Sequence, residues 1–291
     1  MKRLLLLLGL CGSLMLLFGC SQDTSVTGPS GDQSQLGQLV QRPEFVDHRT
    51  DAQIALTLKN APTNWSAYKP PKPPPDTGGD PNPNPAHKYA YVVGISDYEG
   101  TANDLNYCDD DARSMAQYFQ SQGFTVHSDI DRSATAAAIE ANLTWLMNAA
   151  VAGDEIAFYY SGHGTTYQGY GSCLISTDLY YLTWGWVMQF INGANCTKKM
   201  IPMDACKLGS FHTGVPSGMI MATASTSGYS YDAPDLGHGA WTYYFLEATE
   251  TMVYGEEICT YANSGMKAWA ALYRLKVAPK MTDAYSGKLD I

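Results

Sequence analysis

Short apolar runs alternate with longer amphipathic segments from residue 87 to the C-terminus. The apolar runs predict buried strands at residues 89–95, 124–127, 155–160, 199–204 and 218–223. The segments between them predict helices at residues 109–122, 133–150, 182–192 and 239–249, and a last edge strand is expected at 288–291. Strands that alternate with helices in this way favour a mostly parallel sheet covered on both faces. The pattern therefore predicts an α/β fold, a three-layer sandwich around a mostly parallel six-stranded sheet.

The first residues of the chain have a different pattern. Lys2 and Arg3 precede an apolar stretch that is too short for a comfortable membrane span, which is typical of a secretory signal peptide over residues 1–19. The segment 17–20, Leu-Phe-Gly-Cys, resembles a bacterial lipobox, in which the chain is cut before the cysteine and that cysteine carries lipid. This likeness implies an exported protein anchored to the membrane through Cys20. Ser21 after the cysteine implies the outer membrane, on its periplasmic or cell-surface side. The alternative is an ordinary signal peptide with a chance cysteine.

Residues 20–86 predict a lipidated, proline-rich tether and N-terminal extension rather than a core. Prolines crowd residues 70–86, and such a segment favours extended polyproline II structure that cannot bury apolar surface. Between the polar start and the prolines, residues 45–65 predict a short helix or a docking strand. Residues 87–291 then form the predicted folded domain.

Charge and cysteine content exclude several classes of function. The net charge is -10 and no run of Lys or Arg occurs, which argues against a nucleic-acid partner because phosphate binding needs a basic patch. Five cysteines follow Cys20, an odd number that leaves at least one thiol unpaired even where export permits disulfides. Neither a Cys-x-x-Cys pair nor a Cys/His spacing suggests zinc, so no metal site and no required cofactor are expected.

A histidine and a cysteine follow two of the predicted strands. His163 comes just after the strand at 155–160, and Cys206 just after the strand at 199–204. Because active sites of parallel sheets lie beyond the carboxyl ends of the strands, the two side chains are expected at one edge. A thiolate that an imidazole activates is the arrangement of nucleophilic cysteine catalysis. The backbone N–H groups of Gly164 and Cys206 are then candidates for the oxyanion hole. Taken singly, each residue could instead be a core cysteine or a loop histidine.

The motifs around this pair resemble those of the caspase–metacaspase superfamily of cysteine peptidases. The similar segments are Ser-Gly-His-Gly at 161–164, Asp-Ala-Cys at 204–206, Leu-Gly-His-Gly-Ala-Trp-Thr at 236–242 and Met-Thr-Asp-Ala-Tyr-Ser-Gly at 281–287. Asp204 stands where caspases carry Gln, which points to metacaspases. The resemblance implies a caspase-like fold and a cysteine endopeptidase that works through an acyl-thioester.

The same resemblance implies a pocket for P1, the residue before the scissile bond. Metacaspases cut after Arg or Lys, and their pocket residues correspond to Cys108, Asp111, Ser161 and Asp204 here. Two carboxylates at one pocket pair with a cation and reject an acidic side chain. The expected partners are therefore peptide or protein substrates with Arg or Lys at P1. Residues 208–266 contain neither Lys nor Arg, so the enzyme is not expected to cut itself there.

Two other functions fit the same motifs. One is a catalytically silent caspase-like module that binds a peptide or partner at the cell surface, and the other is a peptide ligase or transpeptidase. Presence of both His163 and Cys206 favours the peptidase. Calcium activation is left open, although the sequence holds no EF-hand loop. Three further histidines are predicted to be structural: His127, His212 and His238.

Overall fold

A computed structural model describes residues 45–55, 58–59 and 79–291. The predicted signal peptide, Cys20 and most of the tether lie outside the described residues. Among the residues that are described, none of the helices has both the length and the apolar character needed to cross a membrane.

Twelve strands and six helices are assigned over the described ranges. The strands are β1 (Leu58–Lys59), β2 (Lys88–Gly94), β3 (Thr125–Ile130), β4 (Glu155–Ser161), β5 (Gly164–Tyr167), β6 (Gly171–Ile175), β7 (Tyr181–Thr183), β8 (Lys198–Asp204), β9 (Met219–Thr223), β10 (Asp232–Ala233), β11 (His238–Gly239) and β12 (Lys280–Asp283). The helices are α1 (Asp51–Ala55), α2 (Cys108–Ser121), α3 (Ala136–Ala149), α4 (Trp184–Gly193), α5 (Ala240–Thr249) and α6 (Gly255–Leu272).

The main sheet has six strands in the order β12-β9-β8-β4-β2-β3. Neighbours pair in parallel throughout, except that the edge strand β12 is antiparallel to β9. Parallel strands are joined by crossover connections, and α2, α3 and α4 lie in the connections between β2, β3, β4 and β8. The predicted α/β class and mostly parallel six-stranded sheet are confirmed.

Helices cover both faces of this sheet and make it the middle layer. Along β2, Tyr91 and Val93 belong to the core that α3 and α4 complete, whereas Ala90 and Val92 belong to the core under α2, α5 and α6. This alternation follows from the two-residue period of a strand. Because both faces of the central strands are buried, β2, β4 and β9 consist mainly of apolar residues, which is why the sequence predicts them.

A second sheet of four strands, in the order β1-β7-β6-β5, was not predicted. β5, β6 and β7 form an antiparallel meander between β4 and α4, and β1 adds to its edge in parallel with β7. Residues 45–65 were expected to hold a short helix or a docking strand, and their described part contains both, α1 and β1. The described residues 45–55 and 58–59 therefore pack onto the domain.

A buried ion cluster lies at the amino-terminal ends of the central strands. Lys198 contacts Asp80 at 2.8 Å, Glu155 at 3.2 Å and also Asp290. Burial raises the pKa of Glu155 to about 7 despite the neighbouring lysines. The cluster joins the end of the tether, two adjacent strands and the C-terminal residues around one cation.

Two local predictions were wrong, and one helix was not predicted. Residues 288–291 form no strand: Gly255 N–H donates to the Leu289 carbonyl, and this stretch packs beside the start of α6. Thr135, not Ser133, caps α3, by accepting from the Ala138 N–H at 3.2 Å. The long helix α6 was not foreseen.

Pro202 sits in the central strand β8, which is an awkward place for a residue without an N–H. The pairing with β4 is interrupted there: residues 155–157 pair with 198–200, and the pairing resumes with 160–161 and 203–204. Pro202 still pairs with Ala222 of β9. The sheet therefore keeps its register on both sides of the proline, and the carboxyl end of β8 stays aligned with that of β4.

Candidate active site

The register of β4 and β8 brings the two predicted catalytic residues to one edge. Ser161 and Asp204 are direct partners, so His163 and Cys206 each lie two residues past a matched pair. Gly164 then packs on the second strand end: a Cβ built on it would lie 2.1 Å from the Cys206 carbonyl oxygen. The chain can make this close approach only with glycine at this position.

The His163 ring is held by a backbone carbonyl. Its Nε2 lies 2.8 Å from the carbonyl oxygen of Asn103, and the side chain is buried. Because a carbonyl oxygen only accepts, Nε2 carries the hydrogen in this contact. In the neutral ring Nδ1 then holds the lone pair, which makes it the nitrogen able to take a proton.

Aromatic residues fix His163 further. Its N–H donates to the Tyr98 hydroxyl at 2.8 Å, and the Tyr160 hydroxyl donates to its carbonyl at 2.9 Å. The Tyr98 ring lies 4.9 Å from the imidazole, centroid to centroid, and the Phe45 ring lies at 5.6 Å. Phe45 belongs to the N-terminal segment, whose next residue, Val46, pairs by its backbone with the Asn103 side chain. Phe45 thus contributes to the wall around the histidine.

Cys206 begins a tightly held loop and is 3 % exposed. The Ser230 N–H donates to its Sγ at 3.2 Å, a contact that favours the thiolate over the thiol. The three residues after the cysteine are each anchored to the facing loop: Lys207, Leu208 and Gly209 donate their N–H groups to carbonyls of residues 225–228. Lys207 has φ 56, an uncommon value for a non-glycine residue that this anchoring maintains.

Asp111 lies near the strand ends from α2. Its Oδ2 accepts from the Ser161 hydroxyl at 2.8 Å, and its Oδ1 accepts from the Gly239 N–H at 2.9 Å and faces His238 Nδ1 at 3.0 Å. Cys108, one turn earlier on α2, is buried in the core. Asp111 and Ser161, two of the predicted P1 residues, are therefore in direct contact.

Asp204 has an equally complete set of donors. Its Oδ1 accepts from the Ser230 hydroxyl, and its Oδ2 accepts from Thr242 through N–H at 3.1 Å and hydroxyl at 2.9 Å. Ser230 therefore contacts both the predicted pocket, through Oγ, and the Cys206 sulfur, through N–H. This serine therefore connects the Asp204 carboxylate to the Cys206 sulfur.

The three further histidines have different surroundings. Burial lowers the pKa of His212 to about 3, and its two ring nitrogens contact Thr282 and Thr223. His127 stacks on Trp145 at 3.6 Å. These contacts suit the structural role predicted for both. His238 instead contacts Asp111, and that hydrogen bond raises its pKa.

Several contacts of the site were not foreseen. They come from Phe45, Tyr98, Asn103, Ser230, Thr242 and His238. Thr242 and His238 lie within the segment 236–242 whose likeness was noted, so that motif held the signal. The Asn103 contact uses a backbone carbonyl, which no side-chain pattern reveals. Three of the cysteines, Cys173, Cys196 and Cys259, are buried free thiols.

Metal-binding clusters were sought throughout the described ranges. No group of three or more His, Cys, Asp or Glu side chains there could hold a metal ion.

Comparison with known proteins identifies the fold. The crystal structure of protein GSU0716 from Geobacter sulfurreducens superposes with a TM-score of 0.55 at 16 % identity, covering 70 % of this chain and 97 % of that one. At this identity the likeness concerns the fold alone. No curated protein matches the sequence. The family model of the caspase domain matches residues 87–282, which is more than half of the chain and includes the edge that carries His163 and Cys206. The chain therefore belongs to the caspase-domain family, a family of cysteine-peptidase type.

Proposed function

We propose that this protein is a cysteine endopeptidase of metacaspase type that cleaves after Arg or Lys. The observation that carries the proposal is the pairing of Ser161 with Asp204, which puts His163 and Cys206 at matching positions beyond adjacent strands. The Ser230 N–H at the sulfur and the Asn103 carbonyl at the imidazole prepare one group as nucleophile and the other as base.

The reaction follows from these contacts. His163 Nδ1 takes the proton of the Cys206 thiol, and the sulfur attacks the carbonyl carbon of the scissile bond. The backbone N–H groups of Gly164 and Cys206 stabilise the oxyanion. When the C–N bond breaks, the imidazolium gives its proton to the leaving amine and an acyl-thioester remains. Water, deprotonated by His163, then attacks the thioester, and the thiol is released.

Specificity for a basic P1 residue is supported by the cluster of Asp111, Ser161 and Asp204. Asp111 and Asp204 are both completely buried, and two carboxylates at one pocket give it a negative potential, which attracts a guanidinium or ammonium group and repels an acidic one. Ser230 links Asp204 to Cys206, so binding at P1 and the position of the nucleophile share a residue.

The proposed setting is extracytoplasmic. Residues 1–19 act as a signal peptide, Cys20 carries lipid, and residues 20–86 separate the peptidase domain at 87–291 from the outer membrane. The support is the sequence pattern of the N-terminus. Radiolabelled palmitate incorporated by wild type, and not by Cys20→Ala, is the expected result. Labelling of both proteins would contradict the anchor.

A panel of fluorogenic peptides tests the activity. Substrates that differ only at P1, with Arg, Lys or Asp, are compared on wild type, Cys206→Ala and His163→Ala, with and without calcium. We expect turnover of the Arg and Lys substrates by wild type alone. Equal turnover by Cys206→Ala would contradict the mechanism, and a preference for Asp would contradict the pocket.

A further inference from the structure

His238 contacts the carboxylate of Asp111, which belongs to the proposed P1 pocket. Its Nδ1 lies 3.0 Å from Asp111 Oδ1, and His238 is the first residue of the two-residue strand β11 that precedes α5. Asp111 is fully buried, and its two oxygens already face Ser161, Gly239 and His238. A substrate cation that approaches this carboxylate therefore has to compete with these donors for its oxygens.

The three donors differ in their ability to move. Ser161 is completely buried within β4, and Gly239 donates from the backbone. The His238 side chain is 21 % exposed, so it alone among these three can swing toward solvent without unfolding a strand. It is the donor that an arriving cation would replace.

Charges around His238 favour its protonated form. The hydrogen bond with Asp111 raises the pKa of His238 from its ordinary value of 6.5, burial opposes this, and the charges of Asp111, Asp110 and Asp204 add to the rise. Asp111 and Asp110 come from α2, and Asp204 comes from β8. A protonated fraction of His238 therefore persists above pH 6.5.

We infer that His238 is a specificity-determining residue of the P1 pocket, an internal cation that competes with the substrate's Arg or Lys for Asp111. This inference rests on the proposed basic specificity. When His238 is protonated, it holds Asp111 and repels a second cation. When it is neutral, the pocket keeps the full negative charge of its carboxylates and accepts the substrate.

KM for an Arg substrate is expected to depend on the protonation of His238. Because the His238 cation is present below its pKa, KM for an Arg substrate rises as the pH falls and decreases as the pH rises through that pKa. The effect on kcat is expected to be small, since a bound substrate has already displaced the imidazole. KM for a substrate with a neutral P1 side chain should not depend on the charge of His238.

His238→Asn is the matched test variant. Its amide nitrogen can take the place of Nδ1 at Asp111, and it never acquires a charge. His87→Asn is the control, because His87 Nδ1 faces Asp154 at 3.1 Å in a similar pair at the opposite edge of the sheet. KM is measured between about pH 5 and 8, the range in which histidine titrates, with P1 Arg and with its neutral isostere citrulline.

For wild type we expect KM of the Arg substrate to rise about tenfold toward low pH. A nearby like charge typically shifts a pKa by about one unit, which corresponds to a tenfold change in an equilibrium constant. His238→Asn should lose this rise, His87→Asn should keep it, and the citrulline substrate should be unaffected throughout. An unchanged rise in His238→Asn overturns the inference while the peptidase proposal stands. Equal use of Arg and citrulline by wild type at every pH contradicts the proposed basic specificity itself.

A second measurement needs no change at His238. NMR titration of its imidazole is compared in Cys206→Ala with and without a saturating peptide that ends in Arg. Displacement from Asp111 should lower the pKa of His238 when the peptide binds. A pKa that is the same in both states would overturn the inference.

Discussion

Gly164 offers a sharp test of how the two strand ends pack. A Cβ at this position would lie 2.1 Å from the Cys206 carbonyl oxygen and 3.0 Å from the Cys206 nitrogen, whereas ordinary contact begins at 3.4 Å. No positive φ is involved at Gly164, so the conflict is one of space rather than of backbone conformation. The atoms that the methyl group would meet are backbone, which cannot turn away as a flexible side chain can.

The cost can be estimated from this overlap. The Gly164→Ala backbone has to separate from that of Cys206 by roughly 1 Å to restore normal contact. A displacement of about 1 Å at a reacting group costs about 100-fold in rate. Overpacking of this kind also lowers the free energy of unfolding by about 1–3 kcal/mol. We therefore expect kcat/KM for the Arg substrate to decrease about 100-fold in a protein that still folds.

The assay combines steady-state kinetics with urea unfolding. Gly79→Ala is the control, because a Cβ there meets nothing within 4 Å and the glycine has no positive φ. Wild-type kcat/KM in Gly164→Ala would refute the close packing of the two strand ends. A decrease of similar size in Gly79→Ala would show that the loss is unrelated to that packing.

Three further outcomes are expected. Phe45→Ala should lower kcat several-fold with little change in KM, because the Phe45 ring packs on the His163 imidazole at a centroid distance of 5.6 Å. Steady-state kinetics measures both constants, and a change in KM alone would contradict this expectation. Lys198→Met should lower the free energy of unfolding by about 3–5 kcal/mol, because Asp80 and Asp290 lose this cation and Glu155 keeps only Lys88; a loss below about 1 kcal/mol in urea titrations would contradict it. Prolonged incubation should leave residues 208–266 uncut, since they hold no Lys or Arg, and a fragment within that range in intact-mass spectra would contradict basic P1 specificity.

The central strands of the main sheet could be predicted because they are buried on both faces. Residues 89–95 and 156–160 are almost entirely apolar, and such runs are typical of strands in the interior of a covered sheet. The edge that carries His163 and Cys206 followed from the same argument, since the carboxyl ends of parallel strands meet at one side. Periodicity therefore located both the fold and the proposed dyad.

Other elements depend on partners far away in the chain. The strands β5, β6 and β7 are short, and β1 exists by pairing with β7 across more than a hundred residues. The helix α6 did carry a helical period of buried residues, Ile258, Cys259, Ala262 and Met266. That signal was available in the sequence and was overlooked.

The surroundings of the site depended on tertiary structure in the same way. Asn103 holds the imidazole through a backbone carbonyl, and Phe45 reaches it from a segment that precedes the prolines. Neither contact leaves a pattern in the sequence near His163. The role of His238 was missed because its partner, Asp111, lies on a different element, and only the folded chain brings the two together.

Covalent labelling of the nucleophile tests the central claim most directly. A peptide chloromethyl ketone with P1 Arg is incubated with wild type and with His163→Ala, and the adduct is located by mass spectrometry of proteolytic fragments. Burial raises the pKa of Cys173 to about 12 and that of Cys259 well above its ordinary value, so these thiols serve as internal controls. We predict a single adduct on Cys206 that forms much more slowly in His163→Ala. Labelling of another cysteine, or equal rates in the two proteins, would contradict the proposed dyad.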